Sequence, residues 1–377
     1  MRVMMIAGEA SGDLHGAGVV RALRAADPEA MIYGIGGEMM QAEGMELVYN
    51  IRELAFMGFL EVLQHLPLIR SVERTLQVLL KVRRPDVVLL IDYPGFNLRF
   101  ARAVRRAGIK IVYYISPQVW AWNSGRVKKM KGLIDRMLVV FPFEVEIYRK
   151  EGIPVDFVGH PLLEELTEPQ GRKEFSVRYG LDEARPVLGL FPGSRRQEIE
   201  RLFPVMIGAA RLLHKSMGVQ TVVGVSSILD QEFMRSFLRD DFPVVLVQHA
   251  TYDCMKNADV AIVTSGTATL ETGCFRTPML VVYKTSSLTY AIGRFLVRIK
   301  NIGLVNIVAG RTVVPEILQW SVTPQRLAAK AGKLLADPDA RRRMSDELAV
   351  VRERLGTPGA SERVAKVILE TARNQSL

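Results

Sequence analysis

Twice along these 377 residues the same alternation appears: a short, wholly apolar run, an amphipathic stretch, then another apolar run. No other feature narrows the fold as far. In the first half the runs are Val3–Ala7, Met31–Tyr33, Val87–Ile91, Ile111–Ile115 and Met137–Val140, with helix-like stretches such as Ala17–Ala26 and Leu98–Ala107 between them. In the second half they are Val187–Phe191, Thr221–Val225, Val244–Val247, Val260–Val263 and Met279–Tyr283. A strand whose two faces are both apolar suits a parallel sheet, because crossover helices cover it on both sides. The alternation therefore predicts an α/β fold with two parallel sheets. The polar run from Thr167 to Arg178 reads as a linker. We place one domain at 1–165, joined by a C-terminal helix at about 345–377, and the other at 180–340.

Ligands of open parallel sheets sit at the carboxyl ends of the strands, so residues just after the apolar runs matter most. After Val187–Phe191, Pro192-Gly193-Ser194 makes a tight turn, and Ile199, Leu202, Val205 and Met206 then share one face of a helix. Free N–H groups and a positive dipole end meet there, beside Arg195 and Arg196. No GxxxxGK[ST] is present, so this is not a Walker loop. It reads as a phosphate site or as a tight turn with solvated arginines. Ser265-Gly266-Thr267-Ala268 follows Val260–Val263 in the same manner. Glu271, a turn or two further on, is either a partner for a ribose diol or a solvated helix acid. Asn306 and Gln319 lie in the apolar run 301–319 and either line a cleft or satisfy loop backbone.

In the first half, Gly8 and Gly12 permit close backbone approach, while Ser11 or Asp13 can cap the next helix. Asp92 ends a strand just before Pro94-Gly95, as a cleft acid or a turn aspartate. The segment Ser116–Trp122 holds Trp120 and Trp122, which suit a sugar or acyl face or else a core. Phe59, Leu60, Leu63, Leu66 and Ile69, followed by Arg70, Arg74 and Lys81, form either a membrane-interface segment or a buried helix pair.

The balance of 50 basic to 40 acidic residues, net +10, favours an anionic partner such as a nucleotide, nucleic acid or anionic lipid. Against nucleic acid, the aromatics lie among Pro and Ser and not along a basic stripe. Cys254 and Cys274 suit a reducing compartment. The five histidines are scattered without HExxH or paired cysteines, so no metal is expected. No apolar run approaches the roughly 20 residues that span a bilayer, and Met1–Ala7 is too short for a secretory core. We expect a cytoplasmic protein, soluble or peripheral.

Together the motifs GEASGD (Gly8–Asp13), DYPGFN (Asp92–Asn97), SPQVWAW (Ser116–Trp122), FVGHPL (Phe157–Leu162), PGSRRQEI (Pro192–Ile199), SGTATLE (Ser265–Glu271) and NIVAGRTVVPEILQ (Asn306–Gln319) resemble the lipid-A-disaccharide synthase family. The resemblance implies a GT-B fold, two Rossmann-like domains with parallel sheets facing across a cleft. It implies transfer from UDP-2,3-diacylglucosamine to the 6-hydroxyl of 2,3-diacylglucosamine 1-phosphate, with inversion, giving a β(1→6) disaccharide and UDP. It implies no metal or other cofactor, a homodimer, and work at the inner face of the cytoplasmic membrane. On that reading Asp92 and Glu9 are catalytic candidates. Ser11, Gly12, Asp13, Asn97, Ser116, Trp120 and Trp122 face the acceptor or its lipid. Gly193, Ser194, Arg195, Ser265, Gly266, Thr267, Ala268, Glu271, Asn306 and Gln319 bind the UDP-sugar. Phe59, Leu60, Leu63, Leu66 and Ile69 touch membrane. A UDP-sugar 2-epimerase and a basic nucleic-acid-binding module are the rival readings.

Overall fold

A computed structural model describes residues 1–53, 66–121, 124–227, 229–238, 242–286, 290 and 300–373. The chain divides into unit 1, Met1–Glu164 with Gly356–Leu377, and unit 2, Glu165–Leu355.

Unit 1 carries β1 (Arg2–Ala7), β2 (Met31–Gly36), β3 (Glu46–Asn50), β4 (Val87–Ile91), β5 (Lys110–Tyr114), β6 (Arg136–Val139) and β7 (Val155–Phe157). They form one parallel sheet in the order β3-β2-β1-β4-β5-β6-β7. The order turns back between β1 and β4, where Ala7 pairs with Ile91. The residues following these two strands therefore emerge side by side at the switch point. Helices α1 (Ala10–Ala26), α2 (Glu38–Ala42), α3 (Leu66–Val82), α4 (Pro94–Arg106) and α5 (Glu144–Lys150) connect the strands. The C-terminal helix Ala360–Arg373 returns to α1 and buries Val364 and Ile368. It is tied down by Ser361, whose N–H and hydroxyl donate to Glu164 at 2.8 and 2.6 Å.

Unit 2 repeats the plan with β8 (Val187–Phe191), β9 (Gln220–Val225), β10 (Val245–Gln248), β11 (Val260–Thr264), β12 (Met279–Tyr283) and β13 (Glu316–Leu318). The order is β10-β9-β8-β11-β12-β13, again parallel, with the switch point between β8 and β11 where Phe191 pairs with Val263. Helices α6 (Arg196–Met217), α7 (Thr251–Asn257) and α8 (Thr267–Cys274) begin at strand ends that face this point or lie beside it.

The expected parallel α/β architecture is present twice. The strands not foreseen, β3, β7 and β13, are all sheet edges. Their residues are only partly covered, so they carry no run apolar on both faces. The supposed linker holds a helix, Arg172–Tyr179, because Phe175 is fully buried and Arg172 pairs with Asp259 at 3.1 Å. Phe59, Leu60 and Leu63 lie outside the described residues, as does the side chain of Leu66. Ile69, offered as a membrane contact or a buried helix residue, is half-buried and packs against the unit 1 core with Val72, Leu76 and Leu80. Leu68, Val78 and Val82 are the exposed apolar residues of α3. Among the described residues no helix is long and apolar enough to cross a membrane.

Candidate active site

At the unit 1 switch point the chain leaves β4 through two consecutive left-handed residues, Asp92 and Tyr93, both at φ 43°. Such backbone is uncommon outside glycine and has to be held by its surroundings. Here the hold is explicit. The buried Asn97 amide donates to the carbonyls of Ile91 (3.1 Å) and Asp92 (2.8 Å). The Tyr113 hydroxyl donates to the Asp92 carbonyl at 2.6 Å, and the Asp92 N–H donates to Tyr114 at 2.9 Å. Pro94 then opens α4. Gly8 completes the corner: a Cβ there would lie 2.2 Å from the Tyr93 ring.

This geometry leaves the Asp92 carboxylate partly buried beside Glu9 and His15. Burial, and then the Glu9 charge, push its carboxyl up to about 6, while the Tyr93 N–H and His15 act in the opposite sense. A carboxylate tuned in this way stays mostly ionised at neutral pH and is a better proton acceptor than an ordinary aspartate. Glu9 is exposed at the N-cap of α1, and Ser11 is exposed within its first turn. Gly12 and Asp13, expected at the acceptor, are both buried and turned to the fold itself. Gly12 lets α1 lie against β1, since a Cβ would be 3.3 Å from that of Ala7. The buried Asp13 carboxylate accepts from the N–H groups of Gly37 (2.7 Å), Met39 and Met40 (3.1 Å each), so it caps α2.

The Ser116–Trp120 segment is organised by a residue the sequence did not flag. Glu144, 1% exposed, accepts from Ser116 Oγ (2.7 Å), Trp120 Nε1 (3.1 Å) and the Phe141 N–H (3.2 Å). Burial pushes its carboxyl up to about 7 against these three donors and a fourth at Val140. Trp120 also meets the Phe143 ring edge-on at 5.5 Å. Trp122 lies outside the described residues.

In unit 2 the two switch-point turns meet at one open cavity of about 910 Å³. Gly193, Ser194, Arg195, Ser265, Gly266, Thr267, Ala268 and Glu271 all line it. Gly193 adopts φ 102°, and a Cβ on it would come within 2.9 Å of Glu198 and 3.0 Å of Thr264. Neither α6 nor α8 has a side-chain cap at its first turn, which leaves backbone donors pointing into the cavity. Arg195, at the N-cap of α6, is largely exposed and pairs with Glu198 at 3.2 Å. Ser265 donates its hydroxyl to Ile302 at 3.0 Å, which ties the turn to the next loop. Burial, then the Glu165 charge, raise Glu271 to about 7, while a hydrogen bond with Tyr252 acts against them.

Two expected donor-site residues are elsewhere. Asn306 is fully buried; its amide nitrogen donates to Val314 O (2.9 Å) and Glu316 (2.8 Å), and its oxygen accepts from the Val313 and Val314 N–H groups. Its bonding positions are taken by its own loop and by Glu316, so it shapes that segment and does not line this cavity. Gln319 is buried with its oxygen accepting from the Thr285 N–H at 3.2 Å, and it does not line the cavity. Conversely, Ser226, Gln248, His249 and Tyr252 do line it. Three of them follow or end β9 and β10, so applying the strand-end rule to every strand would have found them.

The profile of the family described as Lipid-A-disaccharide synthetase matches residues 3–368. A lipid-A-disaccharide synthase of Geobacter metallireducens is 47% identical over 371 residues, covering 98% of this chain and 97% of that one. One from Coxiella burnetii is 40% identical over 367 residues, covering 97% of each. Among solved structures, the glycotransferase of kitacinnamycin superposes with TM-score 0.67 at 16% identity, covering 98% of this chain and 99% of that one. A UDP-GlcNAc 2-epimerase from Neisseria meningitidis superposes with TM-score 0.64 at 14% identity, covering 99% and 100%. These structural likenesses show the GT-B fold and do not separate transferase from epimerase.

Proposed function

The chain belongs to the lipid-A-disaccharide synthase family, and from that premise we propose how its residues divide the work. It is a glycosyltransferase of lipid A biosynthesis. The epimerase and nucleic-acid readings are not favoured, because whole-length relatives at 40–47% identity carry the synthase name.

In our reading the donor is UDP-2,3-diacylglucosamine and the acceptor 2,3-diacylglucosamine 1-phosphate. The acceptor's 6-oxygen attacks the anomeric carbon of the donor and its proton passes to Asp92. The bond from that carbon to the diphosphate oxygen breaks, and the electron pair leaves with UDP. Inversion follows from attack on the opposite face. The leaving charge is met by Arg195 and the N–H groups of the Gly193–Arg195 and Gly266–Ala268 turns. Glu271 takes the ribose hydroxyls. Glu9 and Ser11 flank the acceptor. No metal enters this scheme. The observation that carries the reading is the placement of Asp92, a carboxylate held by a strained, over-determined turn at the unit 1 switch point. A homodimer docked on the inner face of the cytoplasmic membrane is part of the proposal. Support for docking comes from α3, whose exposed Leu68, Val78 and Val82 share the helix with Arg70, Arg74 and Lys81.

A radiolabelled transfer assay with both lipid substrates tests it. The disaccharide 1-phosphate should form at the same rate with and without EDTA. Release of UDP without disaccharide, or epimerisation of the donor alone, would refute the assignment.

A further inference from the structure

Unit 1 holds a pocket of about 210 Å³ lined in part by Asp92, and the scheme above leaves its other lining residues unused. It is smaller than the pockets that enclose whole drug-sized ligands, and has room for a polar fragment only. Asp92, Ser116, Gln118, Arg126 and Glu144 contribute its polar lining.

The local sequence fixes these walls. Ile115 closes β5 at φ 61°, a conformation that β-branched residues avoid. The turn it makes brings Ser116 onto the buried Glu144, which also holds Trp120. Another wall is the 3₁₀ turn Ser124–Lys129. Its Val127, and Met130 just beyond, are buried in the unit 1 core, and this leaves the half-buried Arg126 lining the pocket. The two carboxyl groups differ in kind. Both oxygens of Glu144 are already engaged by donors, whereas Asp92 is the proton acceptor. Arg126 is the positive group of the pocket. A guanidinium offers paired N–H donors in a planar fork that matches two oxygens of a phosphate.

We propose that this pocket receives the phosphomonoester of the acceptor sugar, and that Arg126 selects a phosphorylated acceptor over an unphosphorylated one. The inference rests on the transferase reading above. Asp92 would repel a phosphate pressed against it, and the sugar ring between the attacking hydroxyl and the phosphate keeps the two apart.

The test compares kcat/KM for diacylglucosamine 1-phosphate and for its 1-dephospho analogue in wild type, Arg126→Ala and Arg126→Lys. Wild type should prefer the phosphorylated acceptor. In Arg126→Ala that preference should shrink by about ten- to a hundredfold, the worth of a hydrogen bond between charged groups. Arg126→Lys should restore part of it, and UDP affinity by calorimetry should stay at the wild-type value. Equal losses with both acceptors would mean that Arg126 only supports the fold, and would overturn the proposal. So would a wild type indifferent to the phosphate. A wild type that transfers to neither acceptor would overturn the transferase reading itself, and this one with it.

Discussion

The chemistry at Asp92 comes from its surroundings more than from its residue type. An aspartate in water titrates near 3.9, whereas burial and Glu9 place this one at about 6. Since the base must be unprotonated, activity should fall as pH drops through that value. We expect kcat/KM to decline about tenfold per unit below pH 6 and to level off above it, and Asp92→Asn to lose about 10²- to 10⁴-fold in kcat. A pH–rate profile of the transfer reaction, measured with both lipids saturating and then limiting, checks both. A flat acid limb, or an asparagine variant at wild-type rate, would remove Asp92 from the role. Its identity as a strand-end acid was legible in the sequence. Glu9 and His15 as its electrostatic neighbours were not, because both follow a different strand, far from Asp92 along the chain. Asp13 shows the converse error. Its position in a glycine-bearing strand-end motif suggested a ligand contact, yet it caps α2, a helix 24 residues downstream that no local rule could place against it.

At the level of elements, the unit 2 cavity depends on two switch-point turns. Gly193 sits in the left-handed region with Glu198 and Thr264 on the side where a Cβ would go. Gly193→Ala should therefore strain the turn by about 1–2 kcal/mol and displace the α6 N-terminus from its ligand. Calorimetric titration with UDP should show affinity lower by about tenfold or more, with far-UV circular dichroism unchanged. Affinity equal to wild type would mean that the phosphate lies elsewhere. The strands behind both turns were readable because β8 and β11 are central and covered on both faces, so each had to be apolar throughout. Edge strands such as β7, whose sequence is Val155-Asp156-Phe157, face the opposite situation and left no such trace.

On the scale of the molecule, the C-terminal helix completes unit 1 from beyond the whole of unit 2. Ile368 is fully buried there, in a helix that packs on α1. Ile368→Ala should cost about 2–5 kcal/mol, read as a lower urea midpoint for unit 1. The UDP affinity of unit 2 should be unaffected. A midpoint within error of wild type would show that unit 1 does not need this helix. By itself the sequence determined the repeated parallel α/β plan and the strand ends that carry function. Apolar runs of two-sided burial and the turns that stop them are local signals, written within a few residues. Only the tertiary structure decided which polar residues at those ends meet a pocket and which saturate their own loops. Asn306 and Asp13 use up their hydrogen bonds on groups close by in space, while Glu144 and Arg126 line one pocket with Asp92. Hydrogen-bond satisfaction and burial depend on neighbours brought together by packing, and the order of residues along the chain does not encode them locally.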